Sequence, residues 1–576
     1  MRAYICPILV VTLLAGPCDA RTDIIGALVK VEHADNGSTY LQGWACQIGV
    51  ANPVSVRVTF GKPAPSGVAL FSTIADNRSV PTAAGNCSPP RHNHGFQIAL
   101  SELDAKRFAG QKIFIYGVTP DNNANGAELE NSGAFVLPKI EYDSVNCDDW
   151  DGLVDRNIQL QPENCQIHKQ IVFNGPNLSL DCNGATIDGT NLPALSGSRG
   201  QGIGAWSAKA ECERSKLVGT DSRFLDADAT GSLIQNCRVQ NFAFGIYFNR
   251  RAWTKPKVGE ECVPYREYSE LNSRNASKQG LDDTLGGRDK RYPFSAADVT
   301  VRNVEATKIR DSGIFVNEYG RNWLVEDSKI VGNGVGIYLE RESRQNRIIT
   351  NIIANNGNVG VAIDASARNL IEKNLIEGNG AIGVALYKNC GESGGVTRYQ
   401  HANNNILRGN IIRGQGGARI GGMTLTMSYL LASSEADKIK SPGVGVWIAS
   451  RQGLSRLWME RATGNPSLGC SDVGYNIGED TLYQDYASNN QIINNRIYDN
   501  SLADVIVEDD NNRITRNDFS SGTGAAPLAG IVIGSVFRQQ EPKLRPVGNV
   551  YLSGNVLPKI TLGDSVLYIG GSEPIE

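Results

Sequence analysis

Gly313-Ile-Phe-Val-Asn317, Gly336-Ile-Tyr-Leu-Glu340, Gly360-Val-Ala-Ile-Asp364 and Gly383-Val-Ala-Leu-Tyr387 repeat one phrase, with glycines 23, 24 and 23 residues apart. Weaker copies flank them at Gly245-Ile-Tyr-Phe-Asn249, Gly445-Val-Trp-Ile-Ala449, Asp504-Val-Ile-Val-Glu508 and Gly530-Ile-Val-Ile-Gly534. A second phrase runs between them: Asn351-Ile-Ile-Ala-Asn-Asn-Gly357, Asn374-Leu-Ile-Glu-Gly-Asn-Gly380 and Asn495-Arg-Ile-Tyr-Asp-Asn500. A period of this length is too short for a strand–helix–strand unit, which needs roughly 30 residues. It suits one coil of three short strands, each sending alternate residues inward, with coils stacked about 4.8 Å apart through parallel ladders. Asn recurring at one corner is expected to hydrogen-bond from coil to coil. The LxxLxLxxN frame of a leucine-rich solenoid is absent. The fold predicted is therefore all-β, a parallel β-helix over 165–576.

Outward from this core the chain changes character. Residues 21–138 carry short alternating runs, such as Val54-Ser-Val-Arg-Val-Thr-Phe60 and Lys112-Ile-Phe-Ile-Tyr116, separated by Pro and Gly. They predict a small β-sandwich. Residues 139–164 read as a linker and cap. Residues 1–20 read as a signal peptide: Arg2, an apolar run from Ile5 to Leu14, and a small-residue cleavage site ending at Ala20. Secretion or a periplasmic location follows as the expectation. No other stretch approaches the roughly 18 apolar residues of a membrane span. Cys46 with Cys87 is the natural disulfide of the first domain, and Cys390 with Cys470 would tie two later loops; the even number of Cys beyond residue 20 favours disulfides. A formal net charge of -4 excludes a strongly basic nucleic-acid surface on the chain as a whole, while leaving room for local Arg and Lys to bind an acidic polymer.

The Gly-anchored repeat resembles the right-handed parallel β-helix repeats of the carbohydrate-binding and sugar-hydrolase superfamily, which includes polysaccharide lyases, glycoside hydrolases and uronate epimerases. The resemblance spans about residues 165–560. Gly43-Trp44-Ala45 and His94-Gly95-Phe96-Gln97-Ile98 resemble segments of small β-sandwich modules that precede catalytic domains in bacterial carbohydrate-active proteins, which makes 21–138 a candidate carbohydrate-binding module. Trp44 is read either as a sugar platform or as core, and His92 with His94 as a metal pair or a polar loop. The resemblance implies an enzyme acting on polysaccharide. The paired-Asp pattern of polygalacturonases and the Asp-Pro-His-Asp motif of mannuronan epimerases are both missing here.

Aligning the repeats gives columns down one face. The last outward strand position supplies Asn249, Asn317, Glu340, Asp364, Tyr387, Ala449 and Glu508. The positions after it supply Arg341, Lys388, Glu342 and Arg451, and the first outward position supplies Tyr247, Phe315, Tyr338 and Trp447. The long insertions 252–297, 414–442 and 452–489 adjoin this strand and are expected to wall a cleft. Glu340 and Asp364 on adjacent coils leave three readings open. A Ca²⁺ site would use Asn317, Glu340, Glu342 and Asp364 as hard oxygen ligands. A retaining glycoside hydrolase would use the carboxylates as a pair about 5.5 Å apart. The third reading is stacked carboxylates neutralised by Arg341, Arg344 or Lys388.

For cleavage of an acidic glycan by β-elimination, the required parts are a base for the proton α to the carboxylate and a cation for the enolate. Tyr387 or Lys388 is the candidate base; Arg341, Arg451 or Ca²⁺ would neutralise the uronate, and Tyr338 and Trp447 would contact sugar. Glu508-Asp509-Asp510 reads as a charged turn or a second cation site. A non-catalytic glycan-binding or surface-assembly protein is the rival of a different class.

Overall fold

In a computed structural model of the chain, the described residues are 24–33, 39–50, 52–77, 94–118, 126–190, 200–205, 229–248, 296–316, 320–340, 343–388, 400–416, 443–449, 487–522, 529–534, 547–558 and 565–569, with a few isolated positions including Cys87 and Leu192. They divide into two units, Met1–Ile140 and Glu141–Glu576.

The first unit has two antiparallel sheets. One orders Ile24–His33, Thr39–Gln47 and Gly95–Leu100; the other orders Val68–Ile74, Ser55–Phe60, Ile113–Val118 and Ala127–Glu128. Leu28, Leu41 and Phe96 from the first and Val56, Val58, Phe60 and Ile115 from the second share one buried cluster, as a sandwich requires. The helix Glu102–Arg107 is capped by Ser101, whose Oγ accepts the Asp104 N–H at 3.1 Å. The Cys46–Cys87 disulfide forms as expected, and buried Trp44 packs with it. Trp44 is therefore core. His94 is buried, and His92 lies outside the described residues.

The second unit is the coiled body. Among the described residues, three parallel sheets hold twelve, nine and twelve strands. One coil reads Arg347–Ile349, Ile352–Ala354, Val359–Asp364; the next reads Leu370–Glu372, Leu375–Glu377, Ile382–Tyr387. The middle residue of each three-residue strand points inward. Ile348, Ile371 and Leu407 in the first sheet and Ile353, Ile376 and Ile412 in the second are all fully buried in a single core running along the axis. This is why the Asn-x-Ile phrase repeats: the Ile is the only inward residue its strand has. Coil strands already occur at Asp143–Asn146, Leu153–Val154 and Ile158–Gln161, so the helix starts inside the stretch read as linker and cap. Disulfides Cys147–Cys165 and Cys182–Cys237 join its first coils. Cys390 and Cys470 lie outside the described residues. No described helix is long and apolar enough to cross a membrane.

Asn ladders run at three corners instead of the one expected. Asn346, Asn369, Asn405, Asn490 and Asn512 precede the first sheet's strands; Asn351, Asn374, Asn410, Asn495 and Asn517 precede the second's. Asn333, Asn356, Asn379, Gln415 and Asn500 lie before the third. A representative rung has the Asn351 N–H and Nδ2 donating to Asn374 Oδ1 at 2.9 and 3.0 Å, while Asn351 Nδ2 also donates to the Val325 carbonyl at 2.9 Å. Each Asn follows a left-handed residue, for example Gln345 (φ 56°), Thr350 (φ 57°) and Asn355 (φ 53°). The corner frees backbone groups that the sheets cannot pair, and the buried amide satisfies them.

The anchoring glycines have a steric cause. A Cβ at Gly336, Gly360, Gly383 or Gly445 would lie 2.4, 2.7, 2.6 or 2.5 Å from the carbonyl oxygen of the same position one coil on. Asp504 occupies that slot where the second sheet has run its course, and its Oδ1 accepts from Asn500 Nδ2 at 2.8 Å, closing the third ladder.

Candidate functional site

The third sheet carries the Gly-anchored phrase, and its register places the columns as the alignment does. Phe315 pairs with Tyr338, Tyr338 with Ala362, Ala362 with Ala385, Ala385 with Trp447 and Trp447 with Ile506; Asp364 pairs with Tyr387. Because Leu339 pairs with Ile363, Glu340 and Asp364 occupy consecutive rungs, about 4.8 Å apart in backbone.

The outer face of this sheet is not uniform. Its early coils carry an aromatic row. Tyr247 and Phe315 have ring centroids 4.7 Å apart, and Phe315 stacks on Tyr338 at 5.0 Å with planes 9° apart; such pairs contribute about 0.5–1.5 kcal/mol each beyond area. Its later coils carry a buried apolar cluster that includes Ala362, Ala385, Trp447, Ile506 and Val532. Trp447, expected to contact sugar, is 7% exposed and donates its Nε1–H to Glu508 Oε2 at 2.9 Å. Among the described residues, the polar, partly accessible stretch therefore lies on the coils around Tyr338, Glu340, Asp364 and Tyr387.

Within it three side chains form a chain of hydrogen bonds. Tyr387 Oη donates to Tyr338 Oη at 3.2 Å, and Tyr338 Oη donates to Asp364 Oδ2 at 2.7 Å. Asp364 is fully buried while Tyr338 and Tyr387 are half-buried, so the chain runs from a partly accessible hydroxyl to an enclosed carboxylate. The alanines at 362 and 385, next in Tyr338's own column, leave lateral room for the phenol to reach Asp364. Lys388, one residue beyond Tyr387, is also fully buried. Glu340 is half-buried.

The remaining expected residues divide as follows. Asn317, Arg341, Glu342 and Arg451 lie outside the described residues, as does most of the three insertions. Among the described residues, no group of three or more His, Cys, Asp or Glu side chains is placed to hold a metal ion. Glu508-Asp509-Asp510 is a buried turn in which Glu508 takes the Trp447 indole N–H and the two aspartates cap backbone: Asp509 Oδ2 accepts the Ala487 N–H at 2.9 Å, and Asp510 Oδ1 accepts the Gly548 N–H at 2.8 Å. The link between Tyr338 and Asp364 was missed at the sequence level because it joins two different columns. Its available signal was Tyr338 followed by two small residues, Ala362 and Ala385, down one column.

Residues 291–455 match the family model for a right handed beta helix region. No curated protein matches the sequence. Among solved structures, an alginate lyase from Paenibacillus sp. str. FPU-7 aligns over 75% of this chain and 99% of its own, with 10% identity and a TM-score of 0.35. The A-module of a mannuronan C-5 epimerase from Azotobacter vinelandii aligns over 75% and 90%, with 11% identity and a TM-score of 0.32. A periplasmic alginate epimerase aligns over 90% and 94%, with 11% identity and a TM-score of 0.37. Likenesses this distant leave the activity to be argued from the chain's own residues. With three parallel ladders wound around one core and a matching segment at 291–455, the described residues of 141–576 form a right-handed parallel β-helix.

Proposed function

We propose that this protein is an exported enzyme that cleaves an acidic polysaccharide by β-elimination on the outer face of the third sheet. The observation that carries the reading is the Tyr387–Tyr338–Asp364 chain. Both hydroxyls donate inward, so a proton taken up at the Tyr387 oxygen can be passed along the chain. As it takes the proton from the carbon α to the uronate carboxylate, its own proton passes to Tyr338 and Tyr338's passes to Asp364. The C4–O4 bond breaks, the C4=C5 double bond forms, and the leaving O4 takes a proton back from Tyr387 as the relay runs in reverse from Asp364 through Tyr338. Asp364 is then the ultimate base, acting through two phenols. Lys388, as fully buried as Asp364, adds positive charge without touching the sugar, and Arg341 and Arg451 are the candidates for direct contact with the uronate carboxylate. Glu340 and Tyr338 complete the site, whereas Trp447, buried against Glu508, takes no part in it.

A Ca²⁺ ion would draw on Glu340 and Asp364, together with Asn317 and Glu342, and would supply charge to the uronate carboxylate. Asp364 Oδ2 already accepts the Tyr338 hydroxyl, so no step is routed through a cation. The complete burial of Asp364 weighs against its serving as a glycosidase nucleophile. The three disulfides among the described residues support an oxidising compartment, in line with the signal peptide read at 1–20.

The test is a panel of polyuronates and neutral glucans read in two ways. A lyase yields products absorbing at about 235 nm, because elimination conjugates the new double bond with the carboxylate. A hydrolase raises reducing ends without that absorbance, and a binding protein does neither while retarding the polymer in an affinity gel.

A further inference from the structure

The turn after Asp364 is held by a side chain from another coil. Gln400 is fully buried, and its Nε2 donates to two backbone carbonyls, Ser343 at 3.0 Å and Ala365 at 3.1 Å. Ser343 lies three residues past Glu340, and its N–H donates to the Glu340 carbonyl at 3.0 Å. Ala365 directly follows Asp364, and its N–H donates to the Tyr387 carbonyl at 2.8 Å. One amide group thus ties together the exits of the strands bearing Glu340 and Asp364, and the second of those exits is tied to Tyr387.

Ala365 sits at φ 49°. A residue with a Cβ is disfavoured in that region and stays there when its surroundings hold it. Here its N–H and its carbonyl are both held, one by Tyr387 and one by Gln400. Below the turn, Ser343 and Ser366 hydroxyls meet at 2.7 Å and Asn369 Nδ2 donates to Ser366 Oγ at 2.9 Å, so the support is rigid on its inner side. Gln400 stands outside the three Asn ladders. Those ladders already hold coil to coil, whereas the Gln400 bonds reach back over two coils to the backbone beside the two carboxylates.

We infer that Gln400 is a positioning residue: by fixing the Ser343 and Ala365 carbonyls it holds the exits of the strands bearing Glu340 and Asp364, and with them the aim of Asp364 at Tyr338. The kinetic consequence rests on the β-elimination reading; the structural consequence does not. Gln400→Glu keeps the shape and removes both donors. In its crystal structure Ala365 is expected to leave the left-handed region and Tyr338 Oη to separate from Asp364. On a polyuronate, kcat is expected to fall about 100-fold, as misplacement of reacting groups by an ångström does, with KM little changed and the pH–rate profile displaced. Asn410→Ala, which loosens the same coil at the second corner, is expected to lower Tm while leaving kcat and the profile in place.

A Gln400→Glu structure with Ala365 and Asp364 unmoved overturns the inference, as does loss of activity that follows Tm equally in both variants. Gln400→Leu serves if the Glu variant does not fold, and failure of both to fold also overturns it, since Gln400 is then a stability residue. If the unaltered protein cleaves no polyuronate, the β-elimination reading fails, and the crystallographic comparison still decides the role of Gln400.

Discussion

Replacing Asn374 by Ala tests whether the buried ladders carry the fold. Asn374 is 1% exposed. Its Oδ1 accepts from the Asn351 N–H and Nδ2 at 2.9 and 3.0 Å, and its Nδ2 donates to the Ile348 carbonyl at 2.8 Å and Asn410 Oδ1 at 3.0 Å. The Asn351 side chain keeps Val325, and Asn410 Oδ1 keeps the Asn374 N–H at 2.9 Å. The Asn351 N–H has no such second partner at its corner and is left buried and unpaired, which costs about 1–3 kcal/mol, with a further ~1 kcal/mol for each other bond lost. The expected loss is about 4–6 kcal/mol. Guanidinium unfolding followed by the fluorescence of Trp323, fully buried in the helix core, reads it. Lys329→Ala on the exposed outer face of the second sheet is the control, expected within about 0.5 kcal/mol. A loss below about 1 kcal/mol for Asn374→Ala would refute the claim that corner amides satisfy backbone the sheets leave over.

Asp504 gives a pH signature: burial raises its carboxyl well above the ordinary value of 3.8. The folded state then binds more protons than the unfolded one, so stability is greatest below that ordinary value and falls as pH rises toward the folded pKa. Asp504→Asn should remove the fall, so that the variant gains on the unaltered protein in Tm with rising pH; parallel Tm–pH curves would count against this. Gly383→Ala places a Cβ 2.6 Å from the Gly445 carbonyl oxygen and 2.7 Å from Ile412 Cγ2, and should cost about 3 kcal/mol by forcing coils apart; an unchanged Tm would contradict the steric account of the anchor glycines. Glu340→Gln and Lys388→Ala should each lower polyuronate cleavage at least tenfold, with Lys388→Ala also lowering Tm because it empties a fully buried site; full activity in both would remove the proposed site from this face.

The repeat made the solenoid readable because its glycine has one steric reason and its inward Ile another, and both recur once per coil. The ladders were half legible. Asn346, Asn351 and Asn356, then Asn369, Asn374 and Asn379, stand five apart, which marks three corners per coil once each corner is known to need one amide. The columns told which residues are neighbours and not which are covered. Trp447, Ala385 and Ile506 form a buried cluster on the outer face, and an outward parity alone cannot distinguish that from an open sugar platform. Gln400 belongs to no column, so periodicity was blind to it. Its role comes from two backbone carbonyls that only the folded coils bring together.

The most direct measurement of the central claim is the rate of 235 nm product formation, at about that wavelength for a conjugated uronate, by the unaltered protein, Tyr387→Phe and Asp364→Asn on the polyuronate it cleaves best. The relay predicts that each variant loses about 100-fold or more in kcat while binding the polymer as before. Full activity in Asp364→Asn, with the product still unsaturated, would contradict it.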